Sequence, residues 1–283
     1  MPVINLGKLK THRNRTFRLL PSNRVSNHSG ALEFVNERGF VFFWPITGID
    51  LPSLWKAVAG DRTVPDNHDD PGHITWGWKD DALPKKIWYY GKILRRKATL
   101  ISLEIAPYFF ALSENYGSPE EDYLLAYEEG RLTQAAKQIY ETLLDKGSLD
   151  TISLRKEARL LNAKESAFNR AMEDLQMDFK IQPVGVAEVG SWKYAFRYDI
   201  TSRHMPELEQ QARPIGEAEA RKKLVRLYFA SVGATRSRDV TKLFGWPPDL
   251  VRRTLDTLVL KDELVEAGHP KSPGPWLSLP DLL

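Results

Sequence analysis

Apolar residues recur at three- and four-residue spacing at Ala136, Ile139, Tyr140, Leu143 and Leu144, which predicts a helix with a single buried stripe that Gly147 stops. A short second helix is expected over 153–161. Asn162, with Glu165 three residues on, has the spacing of a capping box, and Ala163, Ala167, Phe168, Ala171, Met172 and Leu175 carry a third helix to about Gln176. The pattern then changes period. Residues 179–181 and 192–198 alternate as half-buried strands do, and 188–191 form the turn between them. Three helices followed by a two-stranded hairpin is the syntax of a winged helix, with 188–191 as the wing.

The same syntax returns near the C-terminus. Residues 217–232 form a helix with Ala220, Leu224, Leu227, Tyr228 and Ser231 on one side, and Gly233 ends it. A short helix over 235–244 follows, and Pro247 and Pro248 open a third whose inward positions are Leu250, Val251, Leu255 and Leu258. Residues 263–266 and 276–279 are the strands, with the Gly- and Pro-rich 268–275 as wing. A third copy is expected nearer the N-terminus. It contains a helix around Ala31, Leu32, Phe34 and Val35, an apolar run at 40–44, a helix capped by Asp50, a strand at 74–78 with Trp76 and Trp78 on one face, and an alternating strand at 97–105. Residues 120–131 read as a connecting helix. The fold class predicted is α+β, built from tandem winged helices. Its expected segments are a basic arm at 1–26, an N-terminal module with its connecting helix at 27–130, a central winged helix at 131–205 and a C-terminal one at 206–283.

Composition narrows the classes of function. The chain has 283 residues, 42% hydrophobic and 27% charged, which suits several small soluble cores. No apolar run approaches the length of a membrane span, no apolar segment follows the basic N-terminus as in a secretory signal, and there is no cysteine. A cytoplasmic monomer with no membrane association is the expectation. Net charge is only +3, so a nucleic-acid footprint must come from where the charges sit. They are unevenly placed: Lys8, Lys10, Arg13, Arg15, Arg18 and Arg24 all precede the first acidic residue, Glu33. The loop 61–73 holds Asp66, His68, Asp69, Asp70 and His73, but its Pro- and Asp-rich sequence offers no rigid element to fix a metal, and it reads as a solvated loop. No metal and no cofactor are expected.

In helix-turn-helix modules the third helix enters the major groove while surrounding basic groups neutralise phosphates. That geometry selects Arg155, Lys156, Arg159, Lys164, Asn169 and Arg170 in the central module, and Arg236, Arg238, Lys242, Arg252 and Arg253 in the last. Arg95, Arg96 and Lys97 form a further basic cluster. The expected partner is double-stranded DNA, including damaged DNA. Solvated helix faces also carry Lys and Arg, and winged helices also serve protein–protein contacts, so a scaffold or a transcriptional regulator is the competing reading. Four of the eight Trp lie between Trp44 and Trp78. Core packing accounts for most large aromatics, and Phe42, Trp44, Trp76 and Trp78 are the candidates for stacking on a base.

With these modules in place, the chain resembles the AlkZ-type (YcaQ-like) DNA glycosylases. The resemblance rests on the modular order over 27–283, on Gly39-Phe40-Val41-Phe42-Phe43-Trp44 after a first helix, on the segment 88–96, and on the wing strand that ends in Tyr194-Ala195-Phe196-Arg197-Tyr198. It implies tandem winged helices that excise bases from alkylated or crosslinked DNA. The family's Gln-x-Gln or Gln-x-Asp signature falls here on Phe42 and Trp44, neither of which can orient a water or stabilise a cationic sugar. The resemblance therefore predicts a DNA-binding relative without the standard activity. If the chain is an active glycosylase after all, another carboxylate must serve, and Asp50 and Glu104 are the candidates.

Overall fold

The computed structural model describes residues 1–283, and the chain is α+β. It forms two compact units. Unit 1 comprises Met1–Gly77, Leu100–Glu104 and Glu217–Leu283, and unit 2 comprises Trp78–Thr99 and Ile105–Gly216. In chain order the first elements are α1 (Leu6–Thr16), α2 (His28–Arg38), β1 (Phe40–Phe42), α3 (Leu54–Ala59) and α4 (Ile74–Ala82). They are followed by β2 (Tyr89–Lys92), β3 (Ala98–Ile101), α5 (Ala106–Phe110), α6 (Asp122–Glu128), α7 (Gln134–Lys146), β4 (Leu149–Asp150), α8 (Thr151–Glu157) and α9 (Glu165–Met177). Then come β5 (Ile181–Ala187), β6 (Ala195–Ile200), α10 (Thr201–His204), α11 (Glu207–Ala212), α12 (Glu217–Val232), β7 (Ala234–Thr235), α13 (Ser237–Phe244), α14 (Pro248–Val259), β8 (Val265–His269) and β9 (Ser272–Ser278).

In unit 2, α7 to β6 form a winged helix. Thr133 caps α7 by accepting from Ala136 N, and Gly147, at φ 76°, ends it. Ala136, Ile139, Tyr140 and Leu143 pack with Leu154 of α8, with Phe168, Ala171, Met172 and Leu175 of α9, and with Ile181, Tyr198 and Ile200 of the sheet. β6 lies at the centre of that sheet, antiparallel to β4 (Leu149 opposite Tyr198) and to β5 (Ile181 opposite Ile200). The predicted capping box at Asn162 does not form. α9 begins at Glu165 with Lys164 as its cap residue; the preceding turn is closed by Ala163 N donating to Leu160 O, and the Arg155 guanidinium bonds to the carbonyls of Leu160 (3.2 Å) and Ala163 (2.7 Å).

In unit 1, α12 to β9 repeat this arrangement. β9 is flanked by β7 and β8, with Ala234 and Val265 both opposite Ser278. The hairpin is tighter than the predicted 268–275 loop, since His269 already faces Ser272 and the strand runs through the Pro- and Gly-containing segment. Val251, Thr254, Leu255 and Leu258 form the buried face of α14.

The basic arm at 1–26 lies along unit 1 and carries a helix: Asn5 caps α1 by accepting from Gly7 N and Lys8 N, and the helix packs on α12. His12 Nε2 lies 3.1 Å from the Ala230 carbonyl, Arg13 donates to the carbonyls of Val232 and Ala234, and Thr16 donates to Ser231. The buried face of α1 is Leu9, His12 and Thr16, so an apolar-periodicity reading cannot see it. Two expectations about the N-terminal region need correction. Residues 74–78 are not a strand but the start of α4, entered through a turn at 71–73 that Asp70 caps. In a helix, two residues are ~200° apart, which puts Trp76 and Trp78 on different faces. Asp50 is not a helix cap either. Ser53 caps α3, accepting from Lys56 N, and Asp50 pairs with Arg13 at 3.1 Å.

Candidate functional site

The segment that follows α2 is fixed by its backbone. Gly39, at φ 78°, ends the helix, Phe42 N donates to Pro52 O, and Trp55 N donates to Phe43 O. Phe40, Phe42, Phe43 and Trp55 are essentially inaccessible to solvent. Phe42 is therefore a core residue, and its place among the base-stacking candidates is corrected. Trp44 is half-buried and enters a cluster of rings: its centroid is 5.5 Å from His73, 5.8 Å from Trp76 and 6.2 Å from Trp55. His73 stacks on Trp76 at 4.8 Å and accepts from Trp55 Nε1 at 3.2 Å. Arg62 lies over Trp55, 4.8 Å from the ring centroid, and forks onto both oxygens of Asp70 at 2.6 and 2.9 Å. Asp61, Asp70, His68 and His73 thus enter ion pairs, a cap and ring contacts, and no group of His, Asp or Glu is placed to hold a metal ion.

Beside this cluster, within unit 1, lies a cavity of about 760 Å³ walled by Phe17, Pro45, Ile46 and Val64 and bearing Arg13, Asp50, Lys56, Asp61 and Arg62. Each of its carboxylates already has a cation: Asp50 pairs with Arg13 at 3.1 Å and Asp61 with Lys56 at 2.5 Å. A carboxylate held this way has less lone-pair capacity for a water and less negative charge to offer a cationic sugar. Glu104 is exposed and does not line the cavity. Asp61 was not picked out from the sequence, since a loop carboxylate carries no pattern.

The basic candidates are of two kinds. On the central module Lys156, Lys164, Asn169 and Arg170 are exposed along α8 and α9. Arg155, by contrast, is turned inward over the Phe168 ring (5.5 Å) while bonding to the two carbonyls that set the α8–α9 turn. Arg95 and Lys97 are exposed, whereas Arg96 grips Asp174 of α9 at 2.5 Å. On the C-terminal module, a groove of about 760 Å³ between α14 and the wing is lined by Arg236, Arg238 and Arg252, but also by Asp249, Asp256 and Glu266. Arg236 pairs with Asp239 at 2.9 Å and covers Trp276, and Arg253 pairs with Asp249 at 3.5 Å. That face carries mixed charge, whereas on the central module Lys156 and Lys164 are exposed and Arg170 is 3.9 Å from Asp174.

Two further features of unit 2 escape sequence reasoning. Lys79 is buried with its ammonium 2.8 Å from Asp80, 3.0 Å from the Tyr194 hydroxyl and 4.3 Å from the Phe196 ring centroid. Burial pulls its pKa below the usual lysine range, opposed by Asp80. The other is Trp192 in the central wing, which is almost wholly exposed. The alternation over 192–198 predicts a half-buried strand starting at this residue, but β6 begins only at Ala195 and Trp192 stays in the turn.

Two three-helix modules, each closed by a three-stranded antiparallel sheet, and a helical N-terminal segment together define an α+β protein of tandem winged helices. The sequence matches the family model described as AlkZ related over residues 25–245, and the chain belongs to that AlkZ-related family. Among solved structures it is similar in fold to the Streptomyces sahachiroi DNA glycosylase AlkZ, at 15% identity and a TM-score of 0.60, with 99% of this chain and 71% of that one covered. No curated protein sequence matches the chain. No helix is long and apolar enough to cross a membrane.

Proposed function

We infer that this chain binds double-stranded DNA through its winged helices and lacks the glycosylase chemistry that the Gln-x-Gln or Gln-x-Asp signature serves. The observation that carries the second part is the burial of Phe42 at one of the two positions where that signature falls. A side chain with no exposed surface cannot meet a substrate, and no local rearrangement turns a phenyl ring into a water-orienting amide. Its companion Trp44 is occupied by His73 and Trp76. DNA binding is supported by the exposed Lys156, Lys164, Asn169 and Arg170 on the two helices that a winged helix turns toward a duplex, and by the likeness in fold to a DNA glycosylase.

The test is fluorescence anisotropy with a labelled duplex across a salt series, together with base-release assays on methylated and crosslinked DNA. Affinity that falls steeply between about 50 and 200 mM salt, by roughly 10³-fold or more for six phosphate contacts, is expected, with no released base. A duplex affinity that is absent at low salt would leave the protein-scaffold reading. Base release that disappears in Asp50→Asn or Asp61→Asn would instead establish an active glycosylase using a cavity carboxylate. The specific observation in favour of that second reading is that both side chains line the same cavity.

A further inference from the structure

The wing of the central module is a hairpin with a firmly held base and tip. Gly190 adopts φ 77° and Lys193 φ 47°, and Lys193 N donates to Gly190 O at 3.1 Å, which closes the tip. A Cβ on Gly190 would come within 2.8 Å of Ile152 Cδ1, so the tip is seated against the start of α8 with no room to sink further. Below it, the Tyr194 hydroxyl donates to Asp80 Oδ1 at 3.0 Å and accepts from Lys79 Nζ at 3.0 Å. Between the two anchors stands Trp192, 91% exposed and next to Lys193. The indole thus presents nearly its whole surface to solvent at the tip of a hydrogen-bonded turn.

We propose that Trp192 is a stacking probe that occupies a position in duplex DNA where a base is missing or unpaired, with Lys193 set against the adjoining phosphate. This rests on the DNA-binding reading. The size of the feature selects the partner: a specific protein interface buries on the order of 1,200–2,000 Å² in total, more than one indole and the partly exposed Tyr194, Val186 and Ile152 near it provide. A nucleobase face is matched by a single aromatic ring, and an interrupted site offers that face without the work of unstacking an intact pair. The bracing by Ile152, Lys79 and Asp80 lowers the ordering entropy lost on insertion.

The experiment compares full-length wild type, Trp192→Ala and Trp192→Phe on a matched duplex and on the same duplex with one tetrahydrofuran abasic analogue, at one salt concentration. Wild type is expected to prefer the interrupted duplex, Trp192→Ala to lose that preference by about tenfold while keeping its matched-duplex affinity, and Trp192→Phe to retain most of it. A 2-aminopurine beside the gap should be quenched by wild type and not by Trp192→Ala. Melting curves that overlay confirm that the variants fold. Equal preference in wild type and Trp192→Ala overturns the proposal, as does an equal loss on both duplexes, and as does a change of oligomeric state in Trp192→Ala without a change in DNA selectivity. If wild type binds neither duplex at low salt, the DNA-binding reading itself has failed, which is a different result from selectivity that does not depend on Trp192.

Discussion

Trp55 Nε1 donates to His73 Nδ1 at 3.2 Å, between an indole with no exposed surface and an imidazole that is nine-tenths buried. Because Nδ1 is the acceptor, a neutral His73 ring carries its proton on Nε2. His73→Leu keeps the apolar volume and orphans the indole N–H, so it should destabilise the protein by about 1–3 kcal/mol. Trp55→Phe removes the donor. Urea unfolding of both singles and the double should give a coupling of roughly 1 kcal/mol, with the double less damaging than the sum; strict additivity would mean the bond contributes nothing.

Restoring the family's amide at Phe42 is expected to damage the fold rather than confer activity. Phe42→Gln removes a fully buried ring and places an amide where only core surrounds it, a loss of about 3–5 kcal/mol in unfolding free energy. Trp44→Gln, at a half-buried position, should cost less. A stable Phe42→Gln protein that releases base from methylated DNA would contradict this account.

The neighbours Arg155 and Lys156 should separate structure from binding. Arg155→Met loses two carbonyl bonds and the cover over Phe168, and should lower stability by about 1–3 kcal/mol. Lys156→Ala and Arg170→Ala should leave stability within about 0.5 kcal/mol and each reduce the salt slope of duplex binding by about one. Thermal melts read beside binding isotherms decide it, and an unchanged salt slope in both surface variants would remove these residues from the interface.

Acid should loosen the packing of α1. Burial pulls the His12 imidazole below its ordinary value, opposed by its bond to the Ala230 carbonyl. A base with a depressed folded-state pKa binds its proton better when unfolded, so its contribution is present above about pH 6.5 and is lost as the pH falls through the depressed value. Urea midpoints measured from about pH 7 to about pH 5 should therefore drop in wild type and drop less in His12→Gln. His204 and His269, also lowered by burial, account for a residual slope. Parallel pH curves for the two proteins would clear His12 of any part in it.

Long elements with apolar stripes were legible in the sequence: α7, α12 and α14 lie where periodicity and their Gly or Pro boundaries put them. The helix α1 was not, because its inward face bonds through His12 and Thr16 to carbonyls more than two hundred residues away. Trp76 and Trp78 misled for a related reason. A two-residue spacing of large rings imitates a strand until the Asp70 cap shows that the turn before them starts a helix. The resemblance puts the signature on Phe42 and Trp44, and only burial distinguishes a core ring from a stacking surface. Arg155 illustrates the general limit of the site reading, since composition cannot tell a guanidinium that holds a turn from one that waits for phosphate.

Unit 1 is assembled from the two extremes of the chain. Ile4 N bonds to Gly268 O, Asn5 N to Leu282 O, and Lys8 Nζ to the Leu283 carbonyl. During synthesis, α1 must therefore wait, its polar inward face still hydrated, until residues 217–283 have emerged from the ribosome. The segments of unit 2 are complete by residue 216 and can settle first. A ribosome stalled before α12 would carry a nascent protein able to form the central winged helix but with no surface on which α1 can dock, and protease digestion of such arrested chains should cut within the first twenty residues while sparing 132–200.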